Sequence, residues 1–95
     1  MQYRSEHDSM GEVLVPKDAY WGAQTERSRQ NFKIGAGIET MPAEIIHAFG
    51  VLKKAAARAN ARLHKMNAEK LNAIESVCDE ICSGKLAAEF PLVVW

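Results

Sequence analysis

Cysteine, proline and excess charge are all scarce in this 95-residue sequence, and each shortage removes a class of function. Two cysteines cannot build a disulfide scaffold. Cys78 and Cys82 lie four residues apart in a helix-prone stretch, which puts both thiols on one face with nearly parallel Cβ vectors, a geometry that rarely suits a disulfide. They read as free, buried thiols. His7, His47 and His64 stand at no ligand spacing from them, so neither a metal nor any other cofactor is expected. Twelve basic residues cancel twelve acidic ones, and no field draws the chain to nucleic acid or to an anionic membrane. No apolar run approaches the roughly 18 residues a bilayer span requires. There is no glycine-rich phosphate cradle and no spacing that reveals a Ser-His-Asp arrangement. The first eight residues, Met1 to Asp8, are polar and include acids, unlike a signal or organelle-targeting peptide, which predicts a cytoplasmic location.

What remains is an ordinary globular composition, 47% apolar and 25% charged, enough for one small domain over residues 1–95. Residues 1–41 read as an extended arm, a short helix and a loop. Val13-Leu14-Val15 is β-branched and short, Met10-Gly11 before it offers a turn, and Pro16 ends the run, so a small hairpin is expected. Asp18 provides a turn or cap ahead of a mostly polar helical stretch from about Gly22 to Asn31. Gly35 and Gly37 mark a loop from Ile34 to Met41.

Residues 42–84 read as an antiparallel helical hairpin. Pro42 suits a first helical turn, and Ile45, Phe49, Leu52, Ala56, Ala59 and Leu63 recur at three- and four-residue steps as one apolar stripe. Lys53, Lys54, Arg58 and Arg62 fall off that stripe and read as a solvated basic face. The alanines from Ala55 to Ala61 favour helix and close helix approach. Asn67 is the expected N-cap of the next helix, with Met66 and Leu71 at hydrophobic-staple positions, and Leu71, Ile74, Val77, Cys78 and Ile81 form its stripe. Ser83-Gly84 stops it. The apolar run from Phe90 to Trp95 has no polar cap and predicts a chain that continues. Histidine 7 beside Asp8, and His47 beside the stripe, read as surface residues and not as an acid–base pair or a catalyst.

The residues themselves name no chemistry, but their strings resemble a known family. Arg4 to Gly11, Val15-Pro16, Tyr20-Trp21-Gly22-Ala23-Gln24-Thr25-Glu26-Arg27-Ser28, Asn31-Phe32, Lys53 to Ala57, Cys78 to Ile81 and Glu89-Phe90-Pro91-Leu92 are similar, in order, to the opening of the class II fumarases. The related aspartases differ at the positions of Trp21 and Trp95. The resemblance implies a mainly α fold, the N-terminal domain of the fumarase/aspartase architecture, in which residues 85–95 lead toward a Gln-Thr-Gly-Ser-Gly-Thr loop that binds a substrate carboxylate. It implies reversible hydration of fumarate to L-malate, a dicarboxylate substrate, no cofactor and a homotetramer. The family's water-activating histidine and its serine on a Gly-Ser-Ser loop match no position here, so the chain alone is expected to be inactive. Its two apolar helical stripes and the Phe90 to Trp95 run, without their partners, are expected to make it self-associate. Within these residues the resemblance assigns substrate binding to Arg27 and Thr25, the arginine and threonine of a Gln-Thr-x-Arg pattern. The same Arg27 equally suits an anchor to an acidic neighbour, and Tyr20 and Trp21 read as packing aromatics. Two other readings stand beside this one: an aspartate ammonia-lyase, and a non-catalytic, self-associating helical module.

Overall fold

Tyr3–Asp8 (β1) and Gly11–Pro16 (β2) pair antiparallel in a register that runs from Tyr3 opposite Pro16 to Asp8 opposite Gly11. The turn is therefore Ser9-Met10, one residue earlier than the sequence suggests. It closes there because the Asp8 carboxylate accepts the Met10 N–H at 2.9 Å, and because Gly11, at φ 110°, takes a conformation other residues resist. The computed structural model describes all 95 residues and separates into two units, one of residues 1–41 with 89–95 and one of residues 42–88.

In the first unit the hairpin is followed by a nine-residue helix, α1 (Ala23–Asn31). Asp18 makes no side-chain cap; the N-cap is Gly22, which has no side chain to offer. After α1 the chain turns through Gly35 and Gly37, both at φ near 80°. The last residues return to this loop: Thr40 bridges Val93, the Val94 N–H donates to the Glu39 carbonyl at 2.8 Å, and Trp95 Nε1 donates to the Ile34 carbonyl at 3.2 Å. The Phe32 and Trp95 rings meet edge to face at 5.5 Å, and the Tyr20 N–H donates to the Glu89 carboxylate at 2.6 Å. Tyr20 itself is exposed and does not pack as the sequence suggests.

The second unit is the antiparallel hairpin of α2 (Ala43–Arg62) and α3 (Ala68–Cys82), followed by a 3-10 turn at Ala87–Glu89. Pro42 is the N-cap of α2 rather than its first turn. Asn67 caps α3 by accepting the Lys70 N–H at 2.8 Å, and Gly84, at φ 85°, ends it with its N–H on the Ile81 carbonyl.

The face of α2 that meets α3 is not the stripe read from the sequence. Ile46, Gly50, Lys54, Ala57 and Ala61 are the covered positions, whereas Ile45, Phe49, Leu52 and Leu63 are 43–67% exposed. Small residues decide this. A Cβ on Gly50 would lie 2.8 Å from Cys82 Sγ and 3.1 Å from Ile81 Cγ2, so glycine lets the helices approach this closely without displacing those side chains. The basic face is not simply solvated either: Lys54 pairs with Asp79 at 2.7 Å and Arg58 pairs with Glu75. Cys78 is buried, Cys82 is half-buried and points its thiol at the His47 carbonyl, and both are free; burial pushes the Cys78 thiol up from its ordinary range.

Candidate functional site

Helix α1 is short and polar, and nine such residues would not hold a helix in water unaided. Its first turn is secured by a carboxylate. Glu26 is only 2% exposed and accepts from Trp21 Nε1 at 2.9 Å, from Arg29 Nε and Nη2 at 3.0 and 2.9 Å, and from Gln30 Nε2 at 2.9 Å. Burial is the strongest single influence on Glu26 and pushes its carboxyl upward. The hydrogen bonds from Arg29, Gln30 and Trp21 together outweigh it, and the group ends below the usual carboxylate range. The Arg29 guanidinium also lies over the Trp21 ring at 5.6 Å, so Trp21 is clamped by both partners.

The residues on either side of Glu26 are the two singled out from the sequence. Thr25 is half-buried. Arg27 faces the hairpin turn: its Nε and Nη2 grip the Asp8 carboxylate at 2.7 and 3.0 Å, and Nη2 also donates to the Gly11 carbonyl at 3.0 Å. Asp8 is pulled below the ordinary carboxylate range, chiefly by that bond to Arg27 and against a smaller upward push from burial. Arg27 thus ties α1 to the hairpin, and its Nη1 is the part of the fork these three bonds leave over. Asp8 is spoken for by Arg27 and not by His7, which is exposed and lies 3.8 Å from Glu12.

Two organising residues escaped the sequence reading. Arg4 reaches the carbonyls of Pro16, Lys17, Ala19 and Trp21 at 2.6–3.0 Å and holds Glu6 at 2.7 Å, which shapes the whole connection into α1. Only Glu6 is a local partner; the four carbonyls it collects lie 12 to 17 residues away. Glu26 was legible in principle, because Arg29 and Gln30 follow it at i+3 and i+4. No group of three or more histidine, cysteine or acidic side chains is arranged to hold a metal ion. No helix is long and apolar enough to cross a membrane.

Comparison with known proteins finds close counterparts of the chain. A family model described as "Lyase" matches residues 11–95. Class II fumarate hydratase of Haemophilus ducreyi is 62% identical over the whole of this chain, and that of Bacillus subtilis 55%. The crystal structure of a class II fumarase from Schistosoma mansoni superposes on 99% of the chain with a TM-score of 0.91 at 37% identity. In each case the chain spans about a fifth, 20%, of the relative's length.

Proposed function

The chain belongs to the lyase family, related from end to end to the class II fumarases, and from that premise we propose that it forms one portion of a fumarate hydratase. The reaction adds water reversibly across the double bond of fumarate, hydroxide at one carbon and a proton at its neighbour, to give L-malate. The difficult species is the intermediate that carries extra negative charge on a carboxylate. Fixed hydrogen-bond donors and cations aimed at that charge supply most of the rate enhancement, and one positioned group transfers the proton.

In this reading the portion described here contributes scaffold and a border of the carboxylate site. Arg27 and Thr25 face one substrate carboxylate, with Asp8 holding the guanidinium in place and Nη1 of Arg27 left to bind. The proton-transfer groups come from the rest of a homotetrameric enzyme, so the 95-residue chain by itself forms no malate. What carries the reading is the 62% identity to a class II fumarate hydratase along the full chain.

The test is to replace the matching fifth of the Haemophilus ducreyi enzyme with these 95 residues and follow loss of the fumarate absorbance. The hybrid is expected to form malate as a tetramer, and the isolated chain to form none; malate from the isolated chain would overturn the division of labour. In the hybrid, Arg27→Ala should lower kcat/KM at least about tenfold more than Arg29→Ala, a difference of roughly 1.4 kcal/mol. Equal losses would leave Arg27 as an anchor only.

A further inference from the structure

Strand β1 carries a row of charge on one face. Arg4, Glu6 and Asp8 alternate with Tyr3, Ser5 and His7, so their side chains share that face, and they are the half-buried positions of a strand whose other residues are exposed. Asp8, at the turn end of the row, grips Arg27 of α1. Arg4, at the open end and about 13 Å away along the strand, holds the beginning of the same helix.

That beginning has little else to define it. The N-cap, Gly22, offers no side chain, and residues 17–21 before it belong to no strand or helix. Arg4 Nη1 donates to the carbonyls of Pro16, Lys17 and Ala19 at 3.0, 2.9 and 2.7 Å, and Nη2 donates to that of Trp21, next to the N-cap, at 2.6 Å. Nε donates to Glu6 at 2.7 Å, so every nitrogen of the fork is engaged. The Glu89 carboxylate takes the Tyr20 N–H at 2.6 Å and completes the hold on the connection. Arg27 follows the N-cap by little more than one helical turn, too short a stretch to absorb a displaced start. Because Asp8 grips Nε and Nη2 of Arg27, a displaced α1 swings the guanidinium about that grip, and Nη1 loses its aim.

We propose that Arg4 is a positioning residue for the carboxylate site: by fixing where α1 begins, it sets the aim of Arg27 Nη1. The role rests on the reading of Arg27 as a substrate contact and extends it to a residue that never meets substrate. A lysine at position 4 keeps the charge but has a single nitrogen, which cannot serve carbonyls that two nitrogens of a planar fork now gather.

In the fumarase hybrid, Arg4→Lys is expected to raise KM for fumarate at least about fivefold and to change kcat less than about twofold, because a misaimed guanidinium weakens ground state and transition state alike. In a hybrid that already carries Arg27→Ala, the same change should cost less than about twofold, since Arg4 acts through Arg27. Sedimentation velocity and circular dichroism follow assembly and helix content in each variant. An unchanged KM in Arg4→Lys would overturn the proposal, as would a loss that persists without Arg27, which means that Arg4 acts elsewhere. A variant that does not assemble overturns it too, by leaving Arg4 a part of the framework only. The Arg27→Ala hybrid separates the two readings. If it handles fumarate normally, the substrate contact fails and the positioning role with it; if it is impaired while Arg4→Lys is silent, only the positioning role fails.

Discussion

At position 64 a histidine occupies a conformation suited to glycine. Its φ is 58°, with its own N–H on the Ala61 carbonyl at 3.0 Å and the Lys65 N–H on the Asn60 carbonyl at 2.8 Å, the paired bonds that close a helix through a left-handed residue. A side chain there costs about 1 kcal/mol. His64→Gly is therefore expected to raise the unfolding free energy of the helical hairpin by about that amount in urea denaturation. Asp8 and Glu26 supply the pH dependence at the same scale. Both carboxyls titrate lower in the folded chain than when unfolded, where they lie near 3.9 and 4.3. A depressed folded value means the stabilisation is whole above the unfolded values and is lost as pH falls through the folded ones. The first unit should hold its denaturation midpoint down to about pH 5 and lose it progressively below about pH 4, read by the fluorescence of Trp21 and Trp95. Glu26→Gln should flatten that decline, because the carboxylate that gathers Trp21, Arg29 and Gln30 no longer titrates.

At the level of elements, the helical hairpin depends on what α2 leaves out. Gly50 lowers helix propensity by up to about 1 kcal/mol against alanine, yet the missing Cβ is what admits Cys82 and Ile81. Gly50→Ala should therefore change stability little, the propensity gain offset by a shift of the Cys82 side chain. Gly50→Val adds two more methyl groups at the crossing and is expected to cost about 1–3 kcal/mol in thermal or urea unfolding. The ion pairs Lys54–Asp79 and Arg58–Glu75 align the two helices but, on an exposed face, contribute under about 1 kcal/mol each. The elements themselves were legible. Asn67 and Gly84 bracket α3 where capping chemistry puts them, and Pro16 ends β2. Which face of α2 turns inward was not legible, because α2 carries two apolar faces. The more conspicuous one, with Ile45, Phe49 and Leu52, lost to the smaller one, with Gly50, Ala57 and Ala61. A periodicity argument weighs hydrophobic bulk, whereas helix packing rewards close approach.

For the molecule as a whole, the match to class II fumarate hydratases spans this entire chain but only 20% of theirs, and that proportion frames the hybrid-enzyme experiment. The hybrid enzyme asks what these residues do inside a lyase. The chain's own sequence determined its elements, the two ends of α3 and its family, because turns, caps and motif strings are local and are written in consecutive residues. Tertiary structure alone decided that Arg27 grips Asp8, that Arg4 collects four carbonyls from the 16–21 connection, and that α2 shows its bulkier stripe to solvent. Each of those depends on distances between residues far apart in the chain, and only the folded backbone sets such distances.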